Sequence, residues 1–173
     1  MKSLVVDASV CLKWIFDDEE NREQALRLLR LYINDEIALV APDLWVYEVT
    51  NGIKSALLSR RVSYNKAKSL LKFLMTVKPN LFSMQQVMAS CLANSYKFRI
   101  SIYDSCYVTL AMENGLVLIS GDNKLVENVG NEKIVRFLSS SFDILDSAGT
   151  FKPKKAKTVL QAREKLGKGY NRF

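Results

Sequence analysis

Two neighbouring segments give the clearest structural signal in this chain, SIYDSCYVTLA at residues 101–111 and LVLISGD at residues 116–122. Apolar residues of the first segment repeat at the spacing of a buried helix face, namely Tyr107, Leu110 and Ala111. We predict a helix that begins at Asp104. The second segment contains an unbroken apolar run and ends at Asp122, which is typical of a strand buried on both faces of a parallel sheet. Because sites in open α/β sheets form at the carboxyl ends of strands, both aspartates are expected at a functional edge.

Strand and helix patterns alternate through the rest of the chain. Short apolar runs predict further strands at residues 4–7, 37–41, 81–84 and 134–138. Helical periodicity occupies residues 8–15, 25–33, 44–59, 63–78 and 87–98. Such alternation favours a parallel sheet covered on both faces. The predicted fold class is α/β, a three-layer α/β/α sandwich with a mostly parallel central sheet of about four or five strands.

Two acidic features of the helical regions are interpreted as structural. Asp43 is expected to cap the helix at residues 44–59. The acidic run at residues 17–20 precedes an amphipathic helix, whose dipole it would complement.

The chain contains no histidine. This absence excludes Ser-His-Asp and Cys-His catalysis and any zinc site with histidine ligands. Its chemistry must therefore rely on carboxylates, hydroxyls, amides, lysine or arginine. The cysteines, Cys11, Cys91 and Cys106, are scattered through apolar helical patterns. We interpret them as small buried hydrophobes rather than as a disulfide or a metal site.

The distribution of apolar and charged residues bears on location and domain organisation. No apolar run approaches the ~20 residues of a membrane span, and Asp7 interrupts the N-terminal apolar stretch before it reaches the length of a signal-peptide core. The expected location is the cytoplasm, with no membrane partner. The net charge is +7, and residues 151–173 contain eight Lys or Arg against one Glu. We therefore predict a neutral domain at residues 1–150, followed by a basic C-terminal helical tail at residues 151–173.

Four acids occupy positions that the predicted sheet would bring toward one edge. Asp7 follows the first strand and Glu48 lies on the helix at residues 44–59, in addition to Asp104 and Asp122. Like charges gather only when protons or cations compensate them, and oxygen ligands without nitrogen or sulfur favour Mg²⁺ or Mn²⁺. Such ions generate a hydroxide nucleophile and stabilise charge on a phosphodiester. Each acid alone is better explained as a helix cap or a surface residue, but their joint placement favours a metal site.

Short motifs around these acids resemble the PIN-domain ribonucleases, specifically the VapC-type toxins of prokaryotic toxin–antitoxin pairs. The motifs are VDAS at residues 6–9, YEVTN at 47–51, YDSCYVTLA at 103–111 and ISGD at 119–122. Each motif is weak alone, but the four occur in the order and spacing of the family. The resemblance extends over about residues 1–138, so that the domain at residues 1–150 would be a PIN-like nuclease domain.

The resemblance implies a metal-dependent endoribonuclease that hydrolyses RNA phosphodiesters. Its catalytic residues and its ligands to Mg²⁺ or Mn²⁺ would be Asp7, Glu48, Asp104 and Asp122. Ser9, Asn51 and Ser120 would support them, and Ser120 stands where the family more often has threonine. The resemblance also implies a homodimer and a cognate antitoxin that covers the acidic groove.

Other readings of the acids differ in what they require. A phosphatase of the haloacid dehalogenase type needs a second aspartate two residues after Asp7, where this chain has Ser9. A response-regulator receiver domain needs an adjacent acidic pair at its first strand and a lysine after a later strand, and neither pattern is visible in this chain. A non-catalytic RNA-binding PIN domain would normally have lost acids. A PIN nuclease of RNA processing or maturation stays open as the alternative to a toxin.

The basic tail is a candidate RNA-binding segment. Its apolar residues follow helical spacing with lysines on the other side, and an acidic site needs positive charge elsewhere to attract phosphate. The proposed contacts are Lys152, Lys154, Lys155, Lys157, Arg163 and Lys165.

Overall fold

A parallel sheet forms the centre of the molecule, as the apolar runs predict. The computed structural model describes residues 1–140 and 149–150. The parallel strands are β1 (Lys2–Val6), β2 (Ile37–Pro42), β3 (Asn80–Phe82), β4 (Leu118–Ser120) and β5 (Val135–Phe137), in the spatial order β3-β2-β1-β4-β5. A short strand, β6 (Gly149–Thr150), pairs antiparallel with the start of β1. This five-stranded parallel sheet confirms the predicted fold class.

Helices connect the strands and cover the sheet. They are α1 (Ala8–Leu12), α2 (Arg22–Ile33), α3 (Trp45–Leu58), α4 (Tyr64–Thr76), α5 (Met88–Phe98), α6 (Ile102–Asn114) and α7 (Asn123–Val129). Two 3₁₀ turns, Gln85–Val87 and Leu138–Ser140, flank α5 and β5. Helix α1 packs on α3 and β4, whereas α6 packs on β1, β2 and α5. None of the helices in the described part of the chain is long and apolar enough to cross a membrane.

The core explains why two segments dominate the sequence pattern. The strand residues Val5, Leu118 and Ile119 are completely buried, as expected for strands covered on both faces. Helix α6 is buried along nearly its whole middle, from Ser105 to Ala111. A helix that is apolar on most of its circumference belongs in a core, so α6 anchors the layer beside β1 and β2.

The strand order creates one crevice at the carboxyl edge of the sheet. The chain passes from β1 to β2 and β3 on one side, and it returns to β4 and β5 on the other side of β1. The direction of strand order therefore reverses between β1 and β4. In open α/β sheets the crevice outside the strand ends at such a point is the usual ligand site. Asp7 follows β1 directly at this crevice.

Two predicted helix caps are wrong. Helix α6 begins at Ile102 rather than at Asp104, because Ser101 is its N-cap and its hydroxyl accepts a hydrogen bond from the Asp104 backbone. Asp43 does not cap α3, whose N-cap is Leu44 without a side-chain hydrogen bond. The Asp43 backbone N–H instead donates to the Phe82 carbonyl at 2.8 Å, which ties the loop to β3.

The first helical region is also shorter than predicted. Helix α1 ends at Leu12, and the indole of Trp14 lies beyond it and donates to the Ala25 carbonyl at 3.0 Å. The acidic run at residues 17–20 does not reach the first turn of α2, which begins at Arg22. The boundary predicted at residue 150 stays a prediction. The basic tail, with all of its proposed RNA contacts, lies outside the described residues.

Candidate metal centre and active site

Asp7 lies where β1 passes into α1, and three hydrogen bonds hold its carboxylate. It caps α1, with Oδ1 accepting from the Ser9 backbone at 3.3 Å and Oδ2 from the Ser9 hydroxyl at 2.8 Å. The Ser120 hydroxyl at the end of β4 donates to the same Oδ2 at 2.6 Å. The predicted supporting residues Ser9 and Ser120 thus both contact Asp7.

Ser9 and Ser120 also join the loop after β4 to the loop after β1. The Gly121 backbone donates to the Ser9 hydroxyl at 3.0 Å, and the Asp122 backbone donates to the Ser120 hydroxyl at 3.0 Å. A Cβ at position 121 would lie 2.9 Å from Lys13 Cε and 3.2 Å from Ser9 Oγ, so any side chain there would displace the end of Lys13 and press on the Ser9 hydroxyl. The two strand ends therefore form one hydrogen-bonded unit around the Asp7 carboxylate.

Burial makes the charge on Asp7 costly. Desolvation raises the pKa of Asp7, the hydrogen bonds from Ser120 and Ser9 lower it, and the nearby charge of Asp104 raises it. The net effect is a pKa above the ordinary value of an aspartate. A bound cation would favour the charged form and remove this cost.

Glu48 faces the same crevice from α3. The hydroxyl of the buried Tyr107, on α6, donates a short hydrogen bond to Glu48 Oε2. Burial raises the pKa of Glu48 to about 7, the Tyr107 hydrogen bond opposes this shift, and the charges of Asp7 and Asp104 add to it. Burial and the neighbouring carboxylates, Asp7 and Glu48, also raise the pKa of Tyr107, which therefore stays a hydrogen-bond donor.

Asp104 lies in the first turn of α6 and is half-buried. Its Oδ2 accepts a hydrogen bond from the Ser101 hydroxyl at 2.7 Å, and its backbone N–H donates to the Ser101 oxygen at 3.0 Å. This reciprocal pair fixes the carboxylate at a helix N-terminus, where the dipole favours negative charge. The structure therefore brings Asp104 close enough to Asp7 and Glu48 to raise the pKa of both, and Asp7 close enough to raise the pKa of Glu48.

Asp122 and Asn51 are less tightly linked to this group. Asp122 is exposed and caps α7, its Oδ1 accepting from the backbones of Lys124 at 2.8 Å and Leu125 at 3.3 Å. Asn51 is exposed one turn after Glu48, and no hydrogen bond within residues 1–140 links its side chain to the acids. Both remain candidates by position rather than by contact.

The donor set fits a hard divalent cation in its chemistry. All of the candidate ligands are carboxylate oxygens, which suit Mg²⁺ and Mn²⁺. The charge of Asp104 raises the pKa of Asp7 and of Glu48, the charge of Asp7 adds to the shift of Glu48, and a cation would relieve that repulsion. Within the described residues no three His, Cys, Asp or Glu side chains are already arranged as the ligands of one ion. Small side-chain movements on binding would be needed to complete a coordination shell.

Sequence reasoning missed two residues at the site. Tyr107 was assigned only to the buried face of α6, yet its hydroxyl is the partner of Glu48. Lys13 is 8% exposed, and its side chain passes over Gly121. It forms an ion pair with Glu19 at 3.3 Å, and Arg61 forms a second ion pair with Glu19 at 2.9 Å. A lysine inside the apolar run VCLKWIF at residues 10–16 was the available signal for a buried, paired charge.

Comparisons with known proteins identify the family and the fold of this chain. The model of the PIN domain family matches residues 4–131, a range that contains all four acids. Ribonuclease VapC3 from Pyrobaculum aerophilum is 31% identical over 128 residues, which are 72% of this chain and 92% of that protein. The crystal structure of PAE2754 from the same organism has a TM-score of 0.60 and 17% identity, covering 85% of this chain and 89% of that chain. At this identity the second likeness concerns the fold alone.

Proposed function

Because this chain belongs to the PIN-domain family, we propose that it is a metal-dependent endoribonuclease that hydrolyses RNA phosphodiester bonds. The observation that carries the proposal is the acidic crevice between β1 and β4. There the half-buried Asp7 accepts hydrogen bonds from the hydroxyls of Ser9 at the start of α1 and Ser120 at the end of β4, and the charge of Asp104 acts on both Asp7 and Glu48. A relative over most of this domain is named a ribonuclease.

In this proposal Asp7, Glu48, Asp104 and Asp122 hold Mg²⁺ or Mn²⁺. The bound ion would supply a hydroxide nucleophile and would neutralise charge on the phosphate. Ser9 and Ser120 both donate to Asp7 Oδ2, so they favour its ionised form against the effect of burial and leave Oδ1 with only a long backbone contact. Oδ1 thus retains the capacity to bind a cation.

Tyr107 and Ser101 are the corresponding orienting groups for Glu48 and Asp104. The phenol of Tyr107 approaches Glu48 from the buried side, so it limits the rotation of that carboxylate. Ser101 restrains Asp104 in the first turn of α6. Partners that orient ligating carboxylates in this way typically contribute about 10- to 100-fold to metal affinity or activity.

The biological role proposed is that of the toxin of a type II toxin–antitoxin pair. The support is the 31% identity to a protein named VapC3. The partners would be an RNA substrate, a cognate antitoxin and a second copy of the chain, in the cytoplasm. A short upstream reading frame that encodes a DNA-binding protein would favour this role over RNA maturation.

The test is cleavage of total cellular RNA by the full-length protein with Mg²⁺ or Mn²⁺, followed by mapping of the new RNA ends. Asp104→Asn should abolish cleavage, because it removes a charge that the ion needs. Its stability without metal should change by less than about 1 kcal/mol, since relief of repulsion offsets the weaker interaction with the helix dipole. Asp17→Asn, which changes an exposed acid outside the crevice, is the matched control and should cleave normally. Cleavage at the normal rate by the Asp104 variant would remove this residue from the site.

A further inference from the structure

An acidic crevice repels the phosphates of its own substrate, so the protein needs positive charge near the site. The basic tail lies outside the described residues, and residues 1–150 carry equal numbers of basic and acidic side chains. Within the described part of that neutral domain, local clusters of basic side chains without salt bridges are therefore the best candidates for RNA contacts.

One such cluster lines an open cleft at the end of α5. Ser95, Tyr96, Lys97 and Arg99 surround this cleft, whose volume is about 560 Å³. Tyr96 is 88% exposed, an unusual environment for a large aromatic side chain. Neither Lys97 nor Arg99 forms a salt bridge with any residue in the described part of the chain. Lys97 Nζ lies 4.9 Å from the centroid of the Phe98 ring, a contact that leaves its charge unneutralised. The cleft therefore offers two cations without salt-bridge partners and an exposed aromatic ring.

The chain path places this cleft beside the acidic crevice. Arg99 ends α5 in the left-handed conformation, with φ of 54°, and the chain then turns into α6. Asp104 follows five residues later, so its Cα lies at most ~18 Å from that of Arg99. The carbonyl of Arg99 also accepts a hydrogen bond from Asn128 of α7 at 3.5 Å. The cleft is thus attached to α6, whose first turn contains Asp104, and to α7, which Asp122 caps.

This composition suits single-stranded nucleic acid. Single strands are bound by a positive groove that follows the phosphates and by aromatic side chains on which bases stack. An arginine binds phosphate with two parallel hydrogen bonds. The Ser95 hydroxyl is already bonded to the Leu92 carbonyl at 2.9 Å, so it presents little competing polarity.

We propose that this cleft binds the RNA strand next to the scissile phosphate, with Arg99 and Lys97 contacting phosphates and a base stacking on Tyr96. The proposal rests on the ribonuclease function proposed above and adds a substrate subsite to it. It distributes RNA binding between the folded domain and any contribution of the basic tail.

The test separates binding from cleavage. Binding of a fluorescein-labelled single-stranded RNA to the full-length protein is measured by anisotropy in EDTA over a range of salt concentrations. Lys97→Gln with Arg99→Gln should weaken binding about 10-fold at low salt, and should flatten the log–log salt slope by about 1.4, since each lost contact to a single strand removes about 0.7. Tyr96→Ala should weaken binding about 5-fold or more without changing that slope, whereas Tyr96→Phe should bind normally.

Helix α4 supplies matched controls, because it carries the exposed Tyr64 beside Lys66 and Lys68. Tyr64→Ala, and Lys66→Gln with Lys68→Gln, remove the same groups from another surface and should leave affinity and salt slope unchanged. An equal loss of RNA affinity in the α4 variants would overturn the proposed RNA subsite at the cleft, because the loss would then reflect general electrostatic attraction between the protein and RNA.

Other outcomes distinguish the two proposals. Normal RNA binding by the cleft variants would overturn the subsite if the unaltered protein binds and cleaves RNA. The same result together with lost binding of an acidic protein partner would assign the cleft to that partner instead. Failure of the unaltered protein both to bind and to cleave RNA would overturn the ribonuclease proposal itself, and the subsite with it.

Discussion

Asp7 and Asp122 share a local pattern but occupy opposite environments. Each follows a parallel strand and caps the next helix through its carboxylate. Asp7 is half-buried, and hydroxyls from two strand ends donate to it. Asp122 is exposed, and one of its oxygens accepts from two backbone N–H groups of α7. The same sequence pattern, a strand followed by an aspartate and a helix, therefore gives two different carboxylates. Burial penalises the ionised form of Asp7, whereas Asp122 is exposed to solvent.

The position of each strand explains the difference. β1 lies between β2 and β4, and Asp7 follows its last residue directly, so the carboxylate remains in the crevice. After β4, Gly121 comes before Asp122, and the chain has already moved outward when it reaches the acid. A buried carboxylate with a raised pKa is a better candidate for metal chemistry than an exposed helix cap.

The largest expected effect comes from exchanging these two acids separately for asparagine. Asp7→Asn should lower the rate of RNA cleavage by at least about 10³-fold, because a metal ligand contributes several kcal/mol of charge stabilisation. Asp122→Asn should lower it by a smaller factor, about 10- to 100-fold, because this proposed ligand is exposed and does not contribute to the raised pKa of Asp7 or Glu48. Its unfolding free energy should stay nearly constant, because asparagine caps helices as well as aspartate does. Cleavage rates and urea unfolding of the full-length variants measure both quantities.

A reversed order would contradict the comparison. If Asp122→Asn were the more damaging change, the exposed acid would be the principal ligand and burial of Asp7 would be structural. Equal losses would show that metal binding brings both carboxylates into one coordination shell.

Glu48 extends the comparison to a change of pH. Its pKa rises from 4.5 to about 7 on folding, so between these values the folded protein binds more protons than the unfolded chain. The unfolding free energy without metal should therefore decrease as pH rises through this interval, by on the order of 2 kcal/mol. Glu48→Gln should remove the part of this dependence that comes from Glu48 and leave the part that the raised pKa of Asp7 adds in the same direction. Urea unfolding in EDTA at several pH values measures it.

Addition of Mn²⁺ provides an internal control for that experiment. A cation that binds the carboxylates should stabilise the unaltered protein more at pH 8 than at pH 5, and Glu48→Gln should reduce the difference. If the unfolding free energy of Glu48→Gln depended on pH as that of the unaltered protein does, Glu48 would be exposed to solvent and would not interact electrostatically with Asp7 and Asp104.

The smallest effect is expected at Cys106, two residues after Asp104. Burial raises the pKa of this thiol to about 12, so a reactive thiolate is absent near neutral pH. Cys106→Ala should lower the unfolding free energy by about 1 kcal/mol through lost packing and should leave the cleavage rate unchanged. A variant that folds normally but fails to cleave RNA would assign a chemical role to the thiol.

Much of the fold and part of the site could be predicted from local patterns. The apolar runs of β1, β2 and β4 have the continuous character of strands buried on both faces, and the helix faces follow from periodicity. Helix starts were less predictable, because Ser101 and Asp104 are both suitable caps and only the backbone geometry selects Ser101. Asp43 shows the same limit, since its backbone is used by β3 instead.

The sequence by itself determined the fold class, the absence of histidine chemistry and the choice of four candidate acids, because composition and hydrophobic period are properties of the chain alone. Tertiary structure decided which acids share one environment. The reversal of strand order brings Ser120 to Asp7, and the packing of α6 brings Tyr107 to Glu48, across separations of 113 and 59 residues. Desolvation and charge repulsion depend on such distant neighbours. Only the folded structure therefore distinguishes Asp7, whose pKa is raised by burial, from Asp122, which is exposed to solvent.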